Sequence, residues 1–471
     1  MKNNTIKWLY SVTGKTKIAI FFLILTQALL GGSGVFYALL LRNIVDCAVN
    51  KNSDRFWMFV IEIIVLVLAQ VGLRAVIRFL EEYSRSSLEN TFKKRLLDNI
   101  LRKDYATVSA VHSGEWINRL TNDTVIVANN CVEILPGISG MAVKMISAVC
   151  MIIALDYRFA GILIPAGIAI LFMTYSFRKV LKKLHKKIQE ADGSLRIFFQ
   201  ERLGSMMIIR SFASEIQTEE EASQKMEVHK GARMKRNRFS NVCNVAFQSG
   251  MQGMYILGVV YCGYGILKNR ISYGTLTAIT QLISQIQAPV ANITGYLPKF
   301  YAMTASAERL MEIEHFKDDG NGSVMSIEQI KDYYESDFRS IGLENAEFTY
   351  YPSGASIKEL SKEDMPLIIK GVSIEIRKGE YVAFTGHSGC GKSTILKLLM
   401  CIYKLDSGER YISDVSGDKR LLLSEYHRLF AYVPQGNQLM SGTIRDVVSF
   451  ADKSRSDDEQ KINNALEIAC A

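Results

Sequence analysis

At 471 residues the chain exceeds one ordinary domain and predicts two or three. Hydrophobic residues make up 48% and charged residues 22%, a globular average that hides long apolar runs with the charges between them. The net charge of +9 flanks those runs, which points to membrane orientation and away from a nucleic-acid partner; eight cysteines without a C-x-x-C pair and six dispersed histidines argue against a disulfide framework or a metal cluster.

Ile6, Trp8, Leu9 and Tyr10 alternate with Lys7, Lys15 and Lys17, a pattern that predicts a short helix in the membrane interface. A bilayer core needs about 20 apolar residues of helix. Ile18–Leu41, Phe159–Phe177, Val242–Leu267 and Ile271–Leu297 meet this roughly without a charge, and Phe56–Leu73 and Ile134–Leu155 meet it with one each, Glu62 and Lys144. Six spans are expected. The first run is too long for the core of a signal peptide, and a second span follows it closely. Lys and Arg number 28 in the N-terminal segment, residues 74–133 and residues 178–241, against 6 in the alternate loops, so both termini are expected in the cytoplasm.

Each inner loop runs to about sixty residues. Phe92, Leu96 and Ile100 recur every four residues, which predicts that the first continues as helix. Thirty residues of helix reach about 45 Å, far enough to touch a cytoplasmic domain; a coiled-coil stalk without a partner is the alternative. Within the spans, Lys144 suits a substrate pathway or snorkelling, and Glu62 is its candidate partner. Gln281, Ser284, Gln285 and Asn292 either line a wet cavity or make interhelical hydrogen bonds.

Polar, Gly-containing residues His315–Ser323 and the acidic stretch to Ser340 read as a linker. Short strands and helices are expected from Ile341. Gly386-His387-Ser388-Gly389-Cys390-Gly391-Lys392-Ser393 fits G-x-x-x-x-G-K-[ST], whose glycines let successive N–H groups face phosphate oxygens. Lys392 supplies charge near the β and γ phosphates and the Ser393 hydroxyl is placed for Mg²⁺. The expected phosphate-binding set is Gly386, Ser388, Gly389, Cys390, Gly391, Lys392, Ser393 and Thr394. Tyr381–Thr385 reads as a strand entering the loop, and Ser393–Met400 as a helix whose N-terminus favours an anion.

Ala431-Tyr432-Val433-Pro434-Gln435 with Ser441-Gly442-Thr443-Ile444-Arg445 resembles the glutamine-loop region of ATP-binding cassette (ABC) proteins. Phe348-Thr349-Tyr350-Tyr351-Pro352 is similar to that family's aromatic loop, and Gly371–Ile374 through Lys378-Gly379-Glu380 to its lead-in strand. The resemblance implies that Tyr350 stacks on adenine, with Tyr351 the competitor. It also implies that Gln435 is a catalytic-site residue that senses Mg²⁺, bound with Ser393, and the γ-phosphate. The membrane half resembles the exporter-fold branch. Ser113-Gly114-Glu115 with Arg119–Asp123 is similar to the first element that docks on the cassette, and Gln200-Glu201 through Ile209–Glu215 to the second. Gly274-Thr275-Leu276, Pro289 and Ser306–Arg309 are similar to the sixth span and its exit.

Two departures stand out. Extra residues in Ser361–Pro366 separate the aromatic loop from the next strand. The sequence also ends 79 residues after Lys392, ahead of the family's signature motif, Walker B aspartate, catalytic glutamate and switch histidine, so a C-terminally truncated chain without hydrolysis of its own is expected. The resulting expectation is a polytopic α-helical membrane domain with six spans and long cytoplasmic helical extensions, followed by a partial α/β P-loop nucleotide-binding domain. Its boundaries are 1–311 for the membrane domain, 312–340 for the linker and 341–471 for the cassette. The resemblance implies an exporter-type half-transporter of the bacterial cytoplasmic membrane that dimerises with a second half-transporter. It would use ATP and Mg²⁺ to export an amphipathic compound, lipid or peptide. An importer on the same fold, a non-hydrolysing nucleotide-binding fragment, and a channel or regulator are the alternatives.

Overall fold

Apolar residues at three- and four-residue spacing set the helices of the N-terminal part, and those helices run far past the apolar stretches themselves. The computed structural model describes residues 2–319, 324–352, 354, 360–363, 365–434, 440–452 and 456–470. It comprises two units, residues 1–99 with 116–314, and residues 100–115 with 315–471.

In chain order the helices are α1 (Lys2–Val12), α2 (Thr16–Val49), α3 (Ser53–Arg102), α4 (Tyr105–Ala110), α5 (Ser113–Asn118), α6 (Thr124–Leu155), α7 (Tyr157–Gly204), α8 (Met206–Ser211), α9 (Glu215–Leu267), α10 (Tyr273–Asn292) and α11 (Tyr296–Glu312). The 50 residues of α3, 48 of α7 and 53 of α9 are unbroken, so helix continues well past the apolar runs. Among the described residues four helices are long and apolar enough to cross a membrane: α2, α3, the run Ser113–Leu155, and α9. Four expected runs fall within them. The run expected at Phe159–Phe177 opens α7, whose described apolar stretch is Tyr157–Ala169. The run expected at Ile271–Leu297 is corrected: it is not one helix. Ser272 caps α10 by accepting from the Thr275 amide, and a 3-10 turn over Ile293–Gly295 follows Pro289 and separates α10 from α11.

The core of this unit is where α2, α6, α7, α9 and α10 meet, around Ile152, Phe159, Ile279, Leu282 and Ile283. Gly31 lets α2 and α6 touch backbone to backbone: a Cβ there would stand 2.5 Å from the Gly140 carbonyl oxygen. Small residues permit such close approach in membranes. Of the polar side chains on α10, Gln285 is buried and its Nε2 donates to the Gly34 carbonyl at 2.7 Å, an interhelical bond. Ser284 and Asn292 are exposed and Gln281 is half-buried. Lys144 is half-buried and Glu62 exposed, and no ion pair joins them.

α1 forms as expected, but one face of it packs on protein. Leu9 and Val12 are buried, Trp8 stacks on Phe92 of α3 at 5.8 Å and donates to Glu314 at 2.9 Å, while Ile6 and Tyr10 stay exposed. Between α5 and α6 a π turn, Arg119–Asp123, presents two charges to α11. Arg119 pairs with Glu312 at 2.8 Å, and Asp123, 1% exposed, takes both forks of Arg309. Bidentate geometry of this kind offsets the desolvation of the buried Asp123 carboxylate, while Arg309 keeps part of its side chain in the open.

The second unit begins inside the stretch expected to be linker. Helix α12 (Ile327–Ser336) carries a Ser326/Gln329 capping box and buries Ile330, and β1 (Phe338–Phe348) follows at once. β1 pairs antiparallel with β2 (Ile369–Arg377) and with β3 (Ser407–Asp414), and β4 (Lys419–Leu421) completes a sheet of order β2-β1-β3-β4. Helix α13 (Lys392–Leu399) matches the helix expected after the phosphate loop, and α14 (Ile444–Val448) and α15 (Glu459–Ile468) follow the sheet. The strand expected at Tyr381–Thr385 is corrected: it is not laddered, and Tyr381 is exposed. A strand needs a neighbour to take its N–H and C=O groups, and apolar composition alone does not supply one.

Candidate nucleotide-binding site

The site begins at the end of β1. Phe348 is fully buried among Leu343, Ile369, Leu398 and Tyr403, so Thr349 and Tyr350 leave the sheet beside α13. The Tyr350 hydroxyl shares a hydrogen bond with Thr394 Oγ1 at 2.9 Å, and its ring stands edge-on to Phe348 at 4.9 Å and Tyr403 at 5.4 Å. The expected stacking residue and the helix that opens at Lys392 are therefore directly linked.

Gly386, Gly389 and Gly391 take φ of +146°, +83° and +99°, the region a side chain disfavours, and curl the loop into the N-terminus of α13. A Cβ on Gly391, the residue that caps α13, would stand 2.7 Å from Ile369 Cδ1. Ser388 and Ser393 are exposed and Cys390 is half-buried. Lys392 folds back over the loop, its Nζ donating to the Gly386 carbonyl at 2.9 Å and the His387 carbonyl at 2.8 Å, with Cys390 Sγ at 3.7 Å. The first turn of a helix offers amide donors with no intrahelical acceptor and the positive end of the dipole. Here that turn, the glycine loop and one ammonium group converge, a donor set that fits a polyphosphate. Gln435 lies outside the described residues.

The other end of α13 is anchored by Arg410 of β3. Its guanidinium donates to the Leu398 carbonyl at 2.6 Å, the Tyr403 carbonyl at 3.0 Å and the Leu422 carbonyl at 3.0 Å, a cation at the negative end of the helix. Burial holds this arginine below its usual pKa. Cys401 follows the helix at φ +61°, and burial pushes its thiol up to about 11. Tyr403 is pushed up to about 12, first by burial and then by neighbouring Tyr350 and Tyr105.

Residues 100–115, from the segment between α3 and α6, belong to this unit. Tyr105 of α4 lies 5.5 Å from Tyr403, Ala106 enters the cluster around Phe348, and the Ala110 carbonyl accepts from the Gly354 amide at 2.8 Å. Of the motif expected to dock, Ser113–Glu115 falls here, whereas Arg119 and Asp123 pair with α11 in the other unit. The second expected docking element ends in an exposed apolar tip carrying Met207, Phe212 and Ile216. Sequence reasoning missed Arg410, Tyr403 and Asp406, which no local motif marks. It flagged the neighbourhood of Lys362 only as extra residues.

Residues 20–290 match the family model of the ABC transporter transmembrane region, and residues 369–469 match that of the ABC transporter. The chain belongs to the ABC transporter family. It joins the membrane region and the ATP-binding region on one polypeptide, a half-transporter and an ABC-type ATPase that uses ATP. It is 24% identical over 436 residues to an export ATP-binding/permease protein of Rickettsia conorii, covering 91% of this chain and 71% of the relative. It is 22% identical over 452 residues to an ATP-dependent lipid A-core flippase of Mannheimia succiniciproducens, covering 91% and 70%. The flippase of that name from Haemophilus influenzae is 22% identical over 440 residues, covering 92% and 70%.

Proposed function

We propose that this ABC protein is an exporter-type half-transporter that works as a dimer and couples ATP binding and hydrolysis to outward movement of an amphipathic compound, with a lipid the favoured class. The observation that carries the nucleotide half of this reading is the Tyr350–Thr394 bond, which ties a base-sized aromatic ring to the helix that opens on the phosphate loop. In this reading Tyr350 stacks on adenine and the amides of the set Gly386, Ser388, Gly389, Cys390 and Gly391 line the phosphates. Lys392 swings from the loop carbonyls to the β and γ oxygens. The Ser393 hydroxyl would hold Mg²⁺, which would supply charge neutralisation at the phosphates. Gln435 would sense Mg²⁺ and the γ-phosphate, and Thr394 holds the tyrosine.

The membrane half is read as residues 1–311 with six spans, the fourth opening α7 and the sixth formed by α10. Residues 312–340 lead into a cassette at 341–471, with both termini in the cytoplasm of a bacterium. The basic excess in residues 74–133 and 178–241 supports the orientation. Relatives named lipid A-core flippase support the lipid class. The test reconstitutes the full-length protein in liposomes with a fluorescent phospholipid or lipid A analogue and follows quenching by an impermeant reductant. Mg-ATP should drive leaflet-to-leaflet movement that Lys392→Ala abolishes. Movement at the same rate without ATP, or in that variant, would overturn the reading.

A further inference from the structure

The doubled tyrosine offers two rings to a base, and one of them already lies under a cation. Lys362, from the extra residues between the aromatic loop and β2, places its Nζ 4.9 Å from the centroid of Tyr351 and 4.9 Å from that of Phe348. It also pairs with Asp406 Oδ1 at 2.6 Å. Asp406 Oδ2 accepts from the Thr349 amide at 2.6 Å, and the Asp406 amide donates to the Glu347 carbonyl at 3.0 Å, so the carboxylate grips the backbone on which the tyrosines sit. An ammonium within about 6 Å of a ring centroid is held by the ring's quadrupole, more strongly where water is partly excluded. Both partners of the pair are partly sheltered here, 23% and 33% exposed.

We propose that Lys362, with Asp406, is the positioning residue that sets the register of the aromatic loop, holding Tyr351 under its ammonium group so that Tyr350 is the ring offered to the base. This rests on the nucleotide reading above and deepens it. The ring face beneath Lys362 is taken, and a base cannot stack there without displacing the cation. Tyr350 is held through its hydroxyl to Thr394, in fixed relation to the phosphate loop. Removing the charge frees Tyr351 while leaving the Asp406–Thr349 bond available, so the two tyrosines should then compete.

The experiment measures equilibrium binding of radiolabelled ATP to the purified chain in detergent, together with its competition by inorganic tripolyphosphate, which has phosphates and no base. With Lys362 intact, Tyr350→Ala should weaken ATP about tenfold, as expected for loss of base–aromatic stacking, and Tyr351→Ala should change it less than about twofold. In Lys362→Met, Tyr351→Ala should become costly and Tyr350→Ala cheaper. Lys362→Arg should restore the original pattern, and tripolyphosphate competition should be the same throughout. A merely structural role for Lys362 would weaken tripolyphosphate along with ATP and would leave the ranking of the tyrosines unchanged. Either result overturns the proposal, as does a Tyr350→Ala variant that binds ATP normally. ATP binding that persists in Lys392→Ala would instead fail the nucleotide reading itself.

Discussion

Substituting Gly391 by alanine tests the phosphate loop at its tightest point. Gly391 caps α13 at φ +99°, and a β-carbon there would lie 2.7 Å from Cδ1 of Ile369, itself 2% exposed in the cassette core. The left-handed backbone alone costs an L-residue about 1–2 kcal/mol. Displacing a packed core side chain costs about 1–3 kcal/mol more. The two terms separate, because Ile369→Val deletes the clashing methyl at an expense of about 0.5–1.5 kcal/mol of its own. Gly391→Ala should therefore destabilise the cassette by about 2–5 kcal/mol with Ile369 present and by only about 1–2 kcal/mol in the valine background. All three tryptophans, Trp8, Trp57 and Trp116, belong to the other unit, so their fluorescence does not follow the cassette. Reactivity of Cys401, buried at 4% exposure, does. The assay is a urea series read by thiol labelling of Cys401 with the other seven cysteines replaced by alanine. Strictly additive effects of the two substitutions would refute the packing argument, and an unchanged midpoint for Gly391→Ala would refute the loop geometry.

Arg410→Met should lower cassette stability by about 2–4 kcal/mol, because it strands three carbonyls that accept from one cation, and Arg410→Lys should recover only part of the loss. Tyr403 is raised to about 12 by burial, above the value near 10 of an unfolded chain, so its contribution is complete below about pH 10 and is lost as pH rises through about 12. Tyr403→Phe should make cassette stability flatter across that window in the same labelling assay; an unaltered slope would show that the ring titrates freely. A cysteine placed at Lys225 in a cysteine-free chain should resist impermeant labelling of intact cells while one at Lys268 reacts, and the reverse pattern would invert the orientation.

The loop at Gly386–Ser393 was legible because its turn is written in the backbone: glycines at 386, 389 and 391 sit where φ is positive. The continuity of α3, α7 and α9 was legible for a similar reason, since helical periodicity persists where the apolar runs stop. What depends on a distant partner was not. Tyr381–Thr385 has the composition of a strand and no ladder, because pairing is a property of two segments. Hydropathy carried the expected sixth run through Pro289 to Leu297, whereas the α-helix gives way to one 3-10 turn after Asn292 before α11 begins. The stretch expected to be linker hides α12, whose short amphipathic pattern is outweighed by its charge. Lys362, Asp406 and Arg410 act through contacts 44, 57 and 12 residues away in sequence, distances that no local motif spans.

The central claim is that Gly386–Ser393 holds the phosphates of ATP with Lys392 as the mobile cation. It is tested most directly by equilibrium binding of labelled ATP to the purified chain, with and without Mg²⁺, beside the Lys392→Ala variant. The account predicts saturable, tripolyphosphate-competed binding that strengthens with Mg²⁺ and is lost in the variant. Binding of equal affinity in Lys392→Ala would contradict it.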